Sequence, residues 1–135
     1  MHLDDASVRA VLDLVGPGAV ALVTDAMAAT GHHDGTYRLG TLDVEVQDGT
    51  ARLADGGSIA GGTTRLLDVV RRLVLDVGLP LADVVTAASA TPASVLGRHD
   101  LGVLAAGRRA DVLVAGRRLE PLGVLRAGTW VVPLD

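Results

Sequence analysis

The residues able to do chemistry are few, and the best placed is a lone carboxylate. Leu22-Val23-Thr24-Asp25-Ala26-Met27 is an apolar run of strand length that ends in an acid. In barrel enzymes the carboxyl end of a buried strand faces the substrate, so an acid there is positioned to move protons. The competing reading is that Asp25 only caps the next turn, because Asp is common where strands end. His32-His33-Asp34 offers metal-ligating atoms. Adjacent residues of an extended chain point to opposite sides, however, and two ligands with a weak third make a poor site. Asp55-Gly56-Gly57-Ser58-Ile59-Ala60-Gly61-Gly62 is a glycine-rich loop whose small residues permit close backbone approach, and the helix after it could receive an anion at its amino end. A hairpin exit leading into a helix explains the same loop without a ligand. His2 reads as an exposed histidine at a frayed terminus, and His99-Asp100 as ordinary loop.

These residues need a scaffold, and composition bounds it. A chain of 135 residues has room for one modest core, burying roughly two-thirds of its unfolded surface. That core is aliphatic, since the 49% hydrophobic content is Ala, Val and Leu with no Phe. Twelve basic residues, all Arg, face sixteen acidic ones, and the net charge of -4 argues against nucleic acid or an anionic membrane as partner. The Arg pairs at 71-72, 108-109 and 117-118 read as solvated charges. With no cysteine, any metal would need His and carboxylate ligands. No apolar run reaches the roughly 20 residues of a membrane span and the start is no signal peptide, so a cytoplasmic protein is expected.

The order of elements is α/β. Asp4 or Asp5 caps a first helix carrying Val8, Val11, Leu12 and Val15 on one face, stopped by Gly16-Pro17-Gly18. Residues 19–24 form a continuous apolar run suited to a strand covered on both faces. Tyr37-Arg38-Leu39 and Leu42-Asp43-Val44-Glu45-Val46 read as strands, and Asp48-Gly49 turns the chain back into Thr50-Ala51-Arg52-Leu53. A helix is predicted from about Thr63 to Val77, with Leu66, Leu67, Val70, Leu73, Val74 and Val77 inward. Pro80 and Asp83 open another through Ala88, and Thr91-Pro92 starts a short one ending at Gly97. Residues 102–132 alternate short apolar runs with Gly-Arg turns and read as small strands.

Four blocks of this sequence carry a resemblance. They are Leu22-Val23-Thr24-Asp25-Ala26-Met27-Ala28-Ala29-Thr30-Gly31; Asp48-Gly49 through Gly57-Ser58-Ile59-Ala60-Gly61-Gly62; Ala87-Ala88-Ser89 to Pro92-Ala93 with Leu96-Gly97; and Gly102 to Asp111. Together they resemble the carboxyl-terminal part of the N-acetylglucosamine-6-phosphate deacetylase family, within the amidohydrolase superfamily. The last block is shared across the superfamily, whereas the first two are closer to the deacetylases. The resemblance implies an α/β fold: the C-terminal portion of a (β/α)8 metal-dependent hydrolase barrel, plus closing strands of a small β-sandwich domain. It implies residues 1–101 as the end of the barrel, units seven and eight with a β-hairpin at about 36–54, and 102–135 as strands of the β domain. It also implies a cut. His2 matches the histidine of the family's Asp-Gly-x-His motif, and the Glu and two His that hold the catalytic metal would lie upstream of Met1.

By that resemblance Asp25 takes a proton from a metal-bound water and returns one to the leaving amine of the sugar. His2 contacts the substrate, and Ile59, Ala60 and Gly61 close over the sugar phosphate. The implied cofactor is a divalent metal, zinc or iron, with no ligand to it in this chain. The implied partners are an amino-sugar phosphate substrate and further copies of the same chain in a homo-oligomer, with no nucleic acid and no membrane. The implied reaction is metal-dependent deacetylation of N-acetylglucosamine 6-phosphate to glucosamine 6-phosphate and acetate in amino-sugar catabolism, with this chain an inactive part. Gly62 and Thr63-Thr64-Arg65-Leu66 depart from relatives that carry Ser and then Thr-Met there. The alternatives are a piece of another amidohydrolase acting on a cyclic amide or nucleobase, and a non-catalytic remnant.

Overall fold

The computed structural model describes residues 3–134. They fall into two compact units, one formed by Val23–Val69 and the other by Leu3–Leu22 with the chain from Val70 onward.

The first unit is built on a three-stranded antiparallel sheet: β1 (Gly35–Leu39), β2 (Leu42–Gln47) and β3 (Thr50–Leu53), paired in that order. Alternation in β2 sends Val44 and Val46 inward and leaves Asp43, Glu45 and Gln47 outside, the period of two expected for a half-covered strand. The β2–β3 connection is the two-residue turn Asp48-Gly49, with φ of 50° and 68° at its two positions, as a type I′ turn requires. Both carboxylate oxygens of Asp34 lock it, accepting from the amides of Asp48 at 2.6 Å and Gly49 at 3.1 Å. Met27, Ala29, Val44, Val46, Ala51 and Ala60 form the core here, with Tyr37 and Leu53 packed against them.

The second unit opens with α1 (Asp5–Val15), whose cap is Asp4, its carboxylate accepting from the Ser7 amide at 2.8 Å. Gly16 ends the helix, its amide donating to Leu12. The helix predicted from about Thr63 to Val77 is α2 (Leu66–Leu75), three residues shorter at its start and two at its end; it runs from the first unit into the second. The two helices expected around Pro80 and Thr91 are one helical run. α3 (Leu81–Val85) passes through a π turn (Thr86–Ala90) into α4 (Thr91–Val95). Pro92 has no amide to offer the regular ladder, and a widened turn absorbs such a defect. Thr91 is buried, and its hydroxyl donates to the Pro17 carbonyl at 2.9 Å.

A second antiparallel sheet follows, β4 (Val112–Ala115), β5 (Pro121–Arg126) and β6 (Thr129–Val132), in that order. Asp111 anchors the β5–β6 turn, accepting from the Ala127 amide at 2.8 Å while pairing with Arg109 at 2.5 Å. Those contacts, the Arg109 guanidinium first, hold its carboxyl below the usual range. The shared Gly102–Asp111 block thus ends in a residue that closes a turn.

Two expectations are corrected. Residues 19–24 are not a strand covered on both faces: Pro17–Ala19 is a 3-10 turn, the following backbone is extended but unladdered, and Val23 is 76% exposed. A fully apolar run becomes a central strand only where neighbours supply hydrogen bonds on both edges. Here the Leu22 amide donates to the Ala87 carbonyl at 2.8 Å, and one parallel bridge, Ala26 to Gly62, lies just past the run. The Arg pairs are also not all solvated charges. Arg71 donates to the carbonyls of Arg118 at 3.2 Å and Leu119 at 3.0 Å, and Arg72 pairs with Asp5, so these guanidinium groups tie elements of the second unit together.

Candidate active-site segment

The first unit brings together two segments far apart in sequence. The Gly62 amide donates to the Asp25 carbonyl at 2.6 Å, and the Gly62 carbonyl accepts from the Met27 amide at 2.9 Å. These are the bonds of the Ala26–Gly62 bridge, and they lay the end of the glycine loop directly along the end of the apolar run. Glycine is needed at both loop positions. Gly61 has φ of 101° and a Cβ there would lie 2.9 Å from the Asp25 carbonyl oxygen; at Gly62 a Cβ would collide with the Thr24 carbonyl oxygen.

Asp25 itself is exposed and has φ of 51°, a left-handed conformation costing most L-residues about 1–2 kcal/mol. Such strain persists where the surroundings over-determine it, and functional sites are where it concentrates. The surroundings are specific here. The Thr24 hydroxyl accepts from the Ala26 amide at 3.3 Å, Gly62 holds the Asp25 carbonyl, and Thr30 closes the following turn by donating its amide to Met27 at 2.9 Å.

The remaining predicted loop residues lie just before Gly62. Ile59 forms an antiparallel bridge with Arg52, and its side chain is 44% exposed. Ala60 is buried in the core, and its amide is used on the Ala51 carbonyl at 3.0 Å. A ligand above this loop would therefore meet the Ile59 side chain and the backbone around Gly61, while the Ala60 methyl faces inward. The Ser58 carbonyl accepts from the Leu53 amide at 2.8 Å and Arg52 donates to the Gly57 carbonyl at 2.7 Å, so the loop is pinned at its start as well. His2 lies outside the described residues.

His32, His33 and Asp34 do not converge. Asp34 is committed to the hairpin turn, the His32 ring lies 6.1 Å from the Tyr37 ring, and the His33 carbonyl accepts from the Tyr37 hydroxyl at 2.5 Å. Among the described residues no three His, Asp or Glu come together as a ligand set, so they do not by themselves fit a divalent metal. Among them, too, no helix is long and apolar enough to cross a membrane.

The sequence reading gave no role to Thr30, which lies in the first resemblance block, or to Arg65, in the segment that departs from relatives. The Thr30 hydroxyl donates to the Gly62 carbonyl at 3.1 Å, and the Arg65 guanidinium lies over Gly31 and donates to the Gly31 carbonyl at 3.5 Å. Both contacts span more than thirty residues of sequence, and no periodicity or motif spacing announces them.

Within the first unit the crossing sets the exposed Asp25 beside the end of the glycine loop. The model of the amidohydrolase family matches residues 8–131, and the chain belongs to that family. Within it, the N-acetylglucosamine-6-phosphate deacetylase of Vibrio furnissii is 39% identical over 95 residues, 70% of this chain and 24% of that protein. An N-acetylgalactosamine-6-phosphate deacetylase of Escherichia coli O157:H7 is 40% identical over 95 residues, 70% of this chain and 25% of that protein. Among solved structures, an aspartate-to-alanine variant of the Mycobacterium smegmatis N-acetyl-D-glucosamine-6-phosphate deacetylase, in complex with N-acetyl-D-glucosamine-6-phosphate, superposes with a TM-score of 0.91 at 44% identity. It covers 98% of this chain and 36% of its own. The chain thus spans about a quarter to a third of the length of these three proteins.

Proposed function

We propose that this chain carries the proton-transferring carboxylate, and one wall of the substrate site, of a deacetylase acting on N-acetylated amino-sugar 6-phosphates. The observation that carries the reading is the Asp25–Gly62 crossing, which sets an exposed acid in a strained conformation beside the loop from Ile59 to Gly62. Amide hydrolysis needs a group that takes a proton from the attacking water and delivers one to the departing nitrogen, a role worth about 10²–10⁴ in rate. In this reading Asp25 performs both transfers: hydroxide is added to the acetyl carbon, the C–N bond breaks, and the proton ends on the amine. Ile59 and the Gly61 backbone bear on the sugar.

Amidohydrolases generally depend on a divalent metal. Among the described residues no His, Asp or Glu set fits one, and the resemblance implies a Glu and two His as its ligands in the family. The same reading makes residues 1–101 the closing part of a (β/α)8 barrel and 102–135 part of a small β domain, in a protein that assembles with copies of itself.

The test is a chimera in which this chain replaces the matching 36% of the Mycobacterium smegmatis deacetylase. It should release acetate from N-acetylglucosamine 6-phosphate, and Asp25→Asn should cut kcat by about 10²–10⁴. A folded chimera that is inert, or one indifferent to Asp25→Asn, would sink the proposal. N-acetylgalactosamine 6-phosphate belongs in the same assay, since a relative named for that sugar matches as well as one named for glucosamine. The isolated chain with added zinc or iron should show no turnover.

A further inference from the structure

Gly62 is the node of the candidate site. Its amide holds the Asp25 carbonyl, and its carbonyl accepts twice, from the Met27 amide and from the Thr30 hydroxyl. A carbonyl oxygen has two lone pairs, so the second acceptance completes its capacity and fixes its direction. The Thr30 amide meanwhile donates to Met27, two residues past Asp25, so Thr30 grips both strands of the crossing. The Thr30 side chain is partly buried, and hydrogen bonds in such settings are better shielded from water than those at the surface.

We propose that Thr30 is a positioning residue: its hydroxyl clamps Gly62 so that the Gly62 amide holds Asp25 in its left-handed conformation and aims the carboxylate. This rests on the reading of Asp25 as the proton-transferring group, but the geometry it asserts is separately measurable. Thr30 acts through Gly62 and touches no reacting atom. A substitution that keeps its shape and removes the hydroxyl should free Asp25 without disturbing the β1–β3 sheet, whose locks are Asp34 and the Val44–Val46 core.

The experiment is NMR on the full chain, comparing the native protein with Thr30→Val and Thr30→Ser. Gly62 amide exchange should quicken about fivefold in Thr30→Val, the factor an ordinary hydrogen bond contributes. The Asp25 HN–Hα coupling and Cα shift should leave the left-handed values. Thr30→Ser should keep both signatures, and the hairpin amides should be unchanged throughout. Unaltered Gly62 and Asp25 signals in Thr30→Val would overturn the proposal. So would equal loss in Thr30→Ser, which would make the methyl group responsible, and so would collapse of the hairpin, which would make Thr30 a fold determinant. In the chimera, Thr30→Val should lower kcat with little change in KM, and serine should restore it. If Asp25→Asn left the chimera's activity unchanged while the NMR signatures behaved as expected, the catalytic reading would fall and the positioning geometry would stand.

Discussion

Gly62→Ala is the sharpest perturbation of the site, because its effect on the folded state is steric. Gly62 does not have a left-handed φ, so alanine meets no conformational penalty of its own, yet its Cβ would collide with the Thr24 carbonyl oxygen and lie 3.3 Å from that of Asp25. Backbone cannot swing aside as a flexible side chain does, so the two segments must separate. Overpacking of this kind costs about 1–3 kcal/mol. Separation also weakens the bonds from Gly62 to Asp25 and from Met27 to Gly62, each worth about 1 kcal/mol. Against this stands about 0.4–1 kcal/mol from the reduced freedom of the unfolded chain, leaving a net loss of about 2–4 kcal/mol. With a urea slope of about 2 kcal/mol per molar, the midpoint should fall by about 1–2 M. Circular dichroism in urea measures it, and Gly56→Ala is the internal control, since a Cβ there meets nothing within 4 Å and its φ is not left-handed. That variant should match or slightly exceed the parent. Indistinguishable midpoints for the two variants would refute the close approach and the site built on it.

Val44 is fully buried in the core of the first unit, so Val44→Ala, which removes two methyl groups and leaves a cavity, should cost about 2–3 kcal/mol in the same urea assay. Acid should destabilise the second unit by way of Asp100, whose carboxyl the Arg98 guanidinium holds down at about 2. A folded pKa below the unfolded value of 3.8 contributes stability that is present above that value and lost as pH falls toward 2; thermal melts between pH 5 and 2 should therefore decline less steeply in Asp100→Asn.

Several parts of the fold were legible because local rules decide them. Alternation in β2, Asp48-Gly49 between two strands, Asp4 before an apolar helix and Gly16 after it act over a few residues, and no distant contact overrode them. The apolar run at 19–24 misled because hydrophobicity reports the wish to be covered and cannot report whether a neighbouring strand is there to do it. The two helices predicted at 80–97 merged because a π turn accommodates Pro92, a backbone adjustment that composition does not encode.

The same division runs through the site. The motifs behind the resemblance marked Asp25, His2 and the loop from Ile59 to Gly61 as candidate site positions, and the small residues of that loop marked where backbone could come close. Tertiary structure alone decided that Gly62 is the point of closure, that Asp25 is strained there, that Ala60 turns into the core, and that Thr30 completes the clamp. The reason is physical. A motif records what a residue can donate, accept or titrate, whereas which lone pair meets which hydrogen across more than thirty residues is fixed only when the packed core beneath sets both segments in register.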